Sequence, residues 1–217
     1  MQQPRCRYEP PVKRRHKRYG GVESAINEYK WQFTDLTWKF HDPMRLFKRA
    51  EHFDMAMHTI SRAFDLWSAA TGRVLTFHQL HSHSNDTADI DVYFARYDHR
   101  DFEAFDGKGG IVAHSGYPMD GQVHFDASEN WSLTGKLGID LRYVSTHELG
   151  HALGLKHSTN RHAIMYPVYK QQTAIALGED DVVGIRHLYN TTVSKTDAIR
   201  LARQRYAARV RKRQPTE

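Results

Sequence analysis

The sequence of 217 residues has a single cysteine and no run of apolar residues long enough to cross a bilayer. One cysteine excludes an internal disulfide, and a transmembrane helix needs about 20 consecutive apolar residues. The N-terminal residues also lack the apolar stretch that follows the basic residues of a signal peptide. We therefore expect a globular chain with no transmembrane segment, whose signal sequence, if it is secreted, is not part of this sequence.

Acidic residues are scarce at both ends of the chain. Residues 1–18 hold seven Lys/Arg and one acid, and residues 190–217 hold eight Lys/Arg and two acids. The remaining 16 basic and 22 acidic side chains give residues 19–189 a net charge of −6. An acidic body favours cations over specific nucleic-acid binding. We divide the chain into a basic leader (1–18), a globular body (19–189) and a basic tail (190–217).

The body shows both strand and helix patterns. Clustered or alternating β-forming residues predict strands at 36–41, 74–80, 89–95 and 122–126. Apolar residues at helical spacing predict a long helix before Gly72, and shorter helices are expected near 140–154 and 179–189. Asp140 is the expected N-cap and Gly154 the expected stop of the second helix. Strands and helices mixed in this way predict an α+β (mixed α/β) domain.

The stretch HELGHALGLKH, residues 147–157, concentrates metal-binding side chains in a chain that has 15 histidines. His147 and His151 are four residues apart and so lie on one face of a helix. Gly154 ends the helix, because glycine readily adopts left-handed backbone angles. The turn then brings His157 back toward the other two histidines. Glu148 follows His147 and can reach a water on the metal without binding the metal itself.

Three neutral imidazoles are typical of a catalytic zinc site in which the fourth position stays open for water. Zinc lowers the pKa of its bound water to about 7. With Glu148 as general base, that water attacks a carbonyl polarised by the metal. The pattern therefore predicts hydrolysis of peptide bonds.

The string HExxHxxGxxHS, which ends at Ser158, and AIMYP at 163–167 closely resemble a matrix metalloproteinase (matrixin) catalytic domain. The resemblance covers residues 19–189. It implies a metzincin fold with a twisted, five-stranded, mostly parallel sheet and three helices. It also implies a zinc endopeptidase that cleaves extracellular matrix or other extracellular proteins. Met165 would form the hydrophobic floor beneath the zinc.

The same resemblance implies further metal sites upstream. A structural zinc would be held by three histidines and one carboxylate: His99, Asp101, His114 and His124. Calcium would be bound by the carboxylates of Asp106, Asp126 and Glu129 and the carbonyls of Gly107, Gly109 and Ile111. A second calcium site is not predicted, because Gln122 replaces the expected aspartate, its loop is short, and only Asp89 matches that site.

Substrate binding is implied in the same way. The segment around Val112 and Ala113 resembles the edge strand that pairs with an extended peptide. Pro167–Tyr169 resembles the far wall of the pocket beyond the scissile bond. Tyr143 stands where a side chain sets the depth of that pocket, so we expect medium-sized apolar residues to be accepted after the scissile bond. The alternative is that Tyr143 packs elsewhere.

The leader resembles the end of a matrixin propeptide. Pro4, Arg5 and Cys6 match its PRC motif, which implies that the Cys6 thiolate blocks the catalytic zinc in a zymogen, although the residues that follow depart from the motif. RHKR at 15–18 resembles a cleavage site of furin-like convertases. Cleavage would free the Tyr19 ammonium to pair with Asp181, and passage through the secretory pathway would follow.

Two other functions remain open at this point. The body could be a binding module in which metals hold the fold and catalysis is vestigial, although Glu148 argues against it. The basic ends could make the protein a polyanion binder, since Ile199, Ala202, Tyr206 and Val210 form a helical stripe among arginines in the tail. A solvated extension is the simpler interpretation of that tail.

Overall fold

The computed structural model describes residues 5–6, 29–82, 84–101 and 103–189. The strands are β1 (Arg5–Cys6), β2 (Asp35–His41), β3 (Thr76–Gln79), β4 (Ile90–Ala95), β5 (Ile111–Ser115), β6 (Gln122–Asp126), β7 (Trp131–Ser132) and β8 (Ile139–Asp140). The helices are α1 (Ala50–Ala70), α2 (Leu141–Ala152) and α3 (Glu179–Tyr189). The convertase-like segment at 15–18, Tyr19 and the basic tail lie outside the described residues.

The main sheet has the order β1-β5-β6-β4-β2-β3. Strands β3, β2, β4 and β6 are parallel neighbours, whereas β5 pairs antiparallel with β6. The two-residue β1 lies outside β5 and is parallel to it. The expected α+β architecture is therefore confirmed: among the described residues of the body, five strands belong to the main sheet and three helices accompany them. Strands β7 and β8 form a separate pair.

One face of the sheet packs against helices α1 and α2. Strand β2 alternates buried and half-buried residues along its length, as expected of a strand with one covered face. Trp38 stacks on Phe64 of α1, with 4.6 Å between ring centroids. Trp67 of α1 is fully buried, and its indole N–H donates to the Thr146 carbonyl of α2 at 2.9 Å. This contact fixes α2 against the long helix.

Both ends of α2 are capped. The Asp140 side chain accepts a hydrogen bond from the backbone N–H of Arg142, as the N-cap prediction requires. At the other end, Leu155 N donates to Gly150 O and Gly154 N donates to His151 O, which is the Schellman pattern. Gly154 has the positive φ of 106° that this turn needs. The chain is thereby turned back toward α2.

Two aromatic side chains satisfy carbonyls that the end of α2 leaves without helical partners. The Trp31 indole N–H donates to Ala152 O at 2.9 Å, and the Tyr189 hydroxyl donates to Leu153 O at 2.7 Å. Both side chains are buried. The first described residues of the body and the last helix therefore stabilise the point where α2 ends. Among the described helices, none combines the length and the apolar character required to cross a membrane.

Candidate active site and metal centres

The three histidines of the HExxH stretch meet at one point. His147 and His151 project from α2, and the turn at Gly154 brings His157 opposite them. Their ligand nitrogens all lie within 4.8 Å of one another. His147 and His151 are 3% and 1% exposed, so two of the three imidazoles have almost no contact with water. The three imidazoles thus come together as their spacing in the sequence predicts for a metal site.

Backbone carbonyls set the tautomers of two of these rings. His147 Nδ1 is 2.7 Å from Ile164 O, and His151 Nδ1 is 2.7 Å from Leu155 O. A carbonyl only accepts hydrogen bonds, so both Nδ1 atoms carry the proton. The Nε2 lone pairs of His147 and His151 are then available to a metal, which is the usual orientation of a zinc-binding histidine. The donor set therefore fits zinc.

Burial keeps these imidazoles neutral. It lowers the pKa of His147 to about 4 and that of His151 well below its ordinary value. Burial also lowers the pKa of the less enclosed His157. A neutral imidazole is the form that binds metal. The group is thus prepared for a cation at neutral pH, in agreement with the acidic body of the chain.

These shifts predict a loss of stability in acid. An unfolded histidine has a pKa near 6.5, whereas His147 titrates at about 4, so between these values the unfolded chain binds more protons. The free energy of unfolding of the metal-free chain should therefore fall as the pH drops from 6.5 to 4, with roughly 3 kcal/mol from His147. Urea unfolding across this range measures it.

A matched pair of variants isolates the contribution of the buried ring. His147→Gln should make the pH dependence less steep, although the other buried histidines still contribute, whereas His58→Gln, on the exposed face of α1, should leave it unchanged. An equal slope in the parent chain and in His147→Gln would contradict the assignment.

Met165 lies directly beneath the HExxH helix. It is 2% exposed, and a Cβ added to Gly150 would overlap its sulfur. Asp181 holds the turn that carries it, because its carboxylate accepts hydrogen bonds from Ile164 N, Met165 N and Gly178 N at 2.7 to 3.1 Å. Met165 therefore packs closely against α2, and its role as the hydrophobic floor beneath the zinc stays a prediction. The pairing of Asp181 with Tyr19 stays a prediction.

Glu148 is fully buried beside the three histidines. Ser115 Oγ lies 2.8 Å from Glu148 Oε2 and 3.0 Å from Glu148 O. A small cavity of about 10 Å³ opens next to this carboxylate. It is lined by Val112, Tyr143, Val144, His147, Glu148, Tyr166, Pro167 and Tyr169. The edge strand, the tyrosine and the wall segment that were assigned to substrate binding thus contribute to one pocket beside Glu148.

Tyr143 is one of the residues that line this pocket. It is 2% exposed, and its ring packs edge-on against Tyr169 with 5.3 Å between centroids. Its hydroxyl lies 3.4 Å from Ile164 O, the same carbonyl that orients His147. Tyr143 lines the pocket and also belongs to the buried core, so its role in setting the depth of the pocket stays a prediction. Ala113, the other strand residue assigned to substrate, is adjacent in β5 but is not among the lining residues.

A second cluster combines three histidines and Asp101 on the outer part of the sheet. Asp101 Oδ2 lies 2.8, 2.6 and 2.8 Å from nitrogens of His99, His114 and His124. The nitrogens are 3.1 to 3.2 Å apart. Ligands of a tetrahedral zinc with bonds of 2.0–2.1 Å are separated by about 3.3 Å. Four ligand atoms with no open position fit a structural zinc.

The electrostatics of this cluster agree with that fit. Burial lowers the pKa of His124 to about 4 and also lowers that of His114. Burial would raise the pKa of Asp101, but a hydrogen bond from Glu103 N and the charge of His114 lower it overall. Burial thus favours the neutral, metal-binding forms of His114 and His124, and Asp101 stays ionised beside them. Gln122 has a role that sequence reasoning missed, because its side-chain oxygen lies 3.2 Å from His124 Nε2 and can orient that ligand.

The acidic loop next to β5 brings carboxylates together less tightly. The charges of Asp126 and Asp106 both contribute to the raised pKa of Glu129, after burial as the main cause. Asp126 is fully buried, and its Oδ2 atom has no hydrogen-bond partner. Gly107 and Gly109 have positive φ and form the turn between Asp106 and β5. Ile111 is the first residue of β5, so its carbonyl lies at the end of this turn.

Asp89, the one residue that matches the second calcium site, makes a hydrogen-bonded contact with β2. The Asp89 carboxylate accepts hydrogen bonds from Thr37 N at 2.8 Å and Thr37 Oγ1 at 2.7 Å. Gly116 N donates to Gln122 O and closes the short connection between β5 and β6. Asp89 therefore stabilises the contact between β2 and β4 in this chain.

Part of the leader lies on the edge of the sheet. In strand β1, Arg5 is opposite Ile111 of β5 and Cys6 is opposite Ala113, and the two strands run parallel. The backbone of Arg5 and Cys6 thus runs along the strand that was assigned to substrate peptide. The side chain of Cys6 lies outside the described part of the chain, so its role as a zinc ligand stays a prediction.

A three-histidine group with a buried glutamate, on a helix that ends at a glycine above a methionine turn, defines a metallopeptidase of the metzincin class. The sequence model of the peptidase family described as Matrixin matches residues 30–190. The chain belongs to the matrixin family. This confirms the family expected from the HExxHxxGxxHS and AIMYP motifs.

Several relatives have similar sequences. The chain is 38% identical to mouse (Mus musculus) stromelysin-3 over 82% of its length and 35% identical to human (Homo sapiens) stromelysin-3 over 92%. It is 37% identical to the hatching enzyme of Paracentrotus lividus over 73% of its length. The matches span 34%, 40% and 27% of these three relatives, so the chain corresponds to well under half of each.

Proposed function

We propose that the chain is a zinc-dependent endopeptidase that hydrolyses peptide bonds in extracellular proteins, including those of the extracellular matrix. The observation that carries the proposal is that the buried Glu148 lines the same pocket as His147, one member of the three-histidine group. A metal-holding role alone needs the histidines but not a glutamate at this point. The binding-module alternative has no comparable support.

The residues divide the chemistry between them. His147, His151 and His157 would hold zinc, which when bound polarises the scissile carbonyl and lowers the pKa of water at its open position to about 7. Strand β5 would hold an extended peptide through backbone hydrogen bonds. Glu148 would accept the proton of the attacking water and pass it to the leaving amine. The burial of Glu148 excludes bulk water from this proton transfer.

The test uses the full chain after incubation with a furin-like convertase. It should cleave a quenched fluorescent collagen-like peptide, lose this activity to 1,10-phenanthroline and regain it when zinc is restored. Absence of turnover from folded protein that retains its zinc would overturn the proposal for such substrates and favour the binding module.

The size of the pocket limits which side chains can be accepted after the scissile bond. A cavity of about 10 Å³ has space for about one water molecule. Medium-sized apolar residues were expected from the sequence; the cavity favours the small end of that range, such as alanine or valine, over phenylalanine and longer side chains. Tyr143 and Tyr169 both line this cavity and pack against each other, which holds their rings in place.

Removing the Tyr143 ring should therefore widen the range of residues that are accepted after the scissile bond. Tyr143→Ala should raise kcat/KM for peptides with phenylalanine after the scissile bond, relative to alanine, by about tenfold or more, because each added methylene in an apolar pocket contributes roughly 10- to 200-fold. Tyr143→Phe keeps the ring and should retain the parent preference. Competition between the two peptides measures the ratio, and an unchanged ratio in Tyr143→Ala would contradict the assignment.

The second metal group and the acidic loop are proposed to be structural sites for zinc and calcium. His99, Asp101, His114 and His124 would close a zinc site between β5, β6 and the preceding loop. Asp106, Asp126 and Glu129, with the carbonyls of Gly107, Gly109 and Ile111, would bind calcium. The buried Asp126 Oδ2 supports a cation here, because a buried carboxylate oxygen without a partner is costly.

Calcium should stabilise the fold if this assignment is correct. Millimolar calcium should raise the Tm of the chain relative to EGTA by several degrees, as binding to the native state alone requires. Asp126→Asn should remove most of this difference, whereas Asp98→Asn, in the exposed turn before the zinc ligands, should preserve it. Differential scanning calorimetry measures the effect, and an equal Tm in calcium and EGTA would contradict it.

The leader is proposed to keep the enzyme latent during secretion. The pairing of Arg5 and Cys6 with β5 supports this, because the same strand edge would otherwise receive substrate. Cleavage after RHKR by a furin-like convertase would then release it. The basic tail is a candidate for polyanion binding, and removing residues 190–217 should lower retention on heparin without reducing peptide cleavage.

A further inference from the structure

Ser115 is the last residue of β5 and contacts Glu148 twice. Its hydroxyl is 2.8 Å from Glu148 Oε2 and 3.0 Å from Glu148 O. Side chains alternate along a strand, so Ser115 points to the face opposite its neighbour His114. His114 belongs to the second cluster, with His99, Asp101 and His124, whereas Ser115 faces α2. Ser115 thereby connects the edge strand to the carboxylate next to the three-histidine group.

Glu148 must be ionised to act as a general base, and in that form its contact with Ser115 is a charge-assisted hydrogen bond in a dry site. An ionised carboxylate only accepts hydrogen bonds, so the Ser115 hydroxyl must be the donor. Ser115 is 6% exposed and Glu148 is fully buried, which removes competition from water. Hydrogen bonds to a charged group are about twice as strong as neutral ones. A glutamate side chain has three rotatable bonds, and this donor restricts their freedom.

We propose that Ser115 is a positioning residue for Glu148, and the proposal rests on the function of Glu148 as general base. The hydroxyl holds one carboxylate oxygen at a fixed distance from β5, the strand that would hold the peptide. The substrate and the base are then aligned by the same strand. A hydroxyl that contacted only the Glu148 carbonyl would merely attach the strand to the helix, and the experiments below separate these roles.

The kinetic experiment uses the full chain after convertase treatment. Ser115→Ala should lower kcat about tenfold, as expected for loss of a hydrogen bond to a charged group, and leave KM within twofold. The zinc content should not change, and Ser115→Thr, which restores a hydroxyl, should recover most of kcat. Ser68→Ala is the matched control, since it removes another buried hydroxyl that donates to a carbonyl, that of Leu75, away from Glu148.

A double-mutant cycle on unfolding supplies a result that does not depend on catalysis. Ser115→Ala and Glu148→Ala are combined in the zinc-loaded full chain, and Tm is measured. If the hydroxyl holds the carboxylate, Ser115→Ala should lower Tm less in the Glu148→Ala background than in the parent chain. Equal losses in both backgrounds would show that only the Glu148 carbonyl is contacted, and would overturn the proposal.

Two kinetic results would also overturn it: a kcat in Ser115→Ala within twofold of the parent, or a fall in kcat that accompanies loss of zinc and is not recovered by Ser115→Thr. Failure of the proposed function is distinguishable, because the parent chain itself would then show no turnover. The Tm cycle would still decide whether Ser115 holds the Glu148 carboxylate.

Discussion

Glu148→Ala should lower kcat by about 10²- to 10⁴-fold while the protein keeps its zinc, because this range is the usual contribution of a positioned general base. The three histidines would remain in place, since Ile164 O and Leu155 O orient His147 and His151 without help from the glutamate. Binding of a peptide to β5 would also persist. The loss should therefore fall on kcat more than on KM.

Zinc content and turnover must be measured on the same samples. Glu51→Ala, in the first turn of α1, removes an exposed carboxylate and should leave kcat unchanged. A Glu148→Ala protein that turns over substrate at the parent rate, with zinc bound, would remove the base from the mechanism. Loss of zinc in Glu148→Ala would show instead that the carboxylate supports the metal site.

Much of the candidate site follows from local sequence rules. Two histidines four residues apart must share a helix face, and a glycine at the end of that helix permits the turn that returns His157. Both features depend only on the repeat of the helix and the conformational freedom of glycine. The helix that begins after Asp140 was predictable for the same reason, because an N-cap acts on residues close to it in the chain.

The remaining features depend on contacts between distant residues. Nothing near Ser115 in the sequence indicates that it meets Glu148, 33 residues later. Gln122 was interpreted only as the replacement of an expected calcium-binding aspartate, although its side chain reaches His124 of the second cluster. Trp31 caps a helix that ends 121 residues later. Pairings of this kind are set by the order of strands in the sheet, which periodicity in one sequence does not specify.

Gly154→Ala should destabilise the fold strongly, although it adds only one methyl group. Its φ of 106° is unfavourable for alanine, a cost of about 1–3 kcal/mol. An added Cβ would also overlap the backbone carbonyl oxygen of Tyr29, and a backbone atom cannot rotate away as a side chain can. The two effects together should lower the free energy of unfolding by at least about 3 kcal/mol.

The damage should reach the metal site as well, because the turn at Gly154 places His157 opposite His147 and His151. We expect weaker zinc binding in Gly154→Ala, measured by competition with a chelator, together with the lower stability in urea. Gly72→Ala separates the two causes: its φ is 65°, but nothing lies within 4 Å of its added Cβ. It should lose only about 1–2 kcal/mol and keep its zinc affinity. An equal loss of unfolding free energy in both variants would mean that the close approach of Tyr29 O to Gly154 contributes nothing to stability.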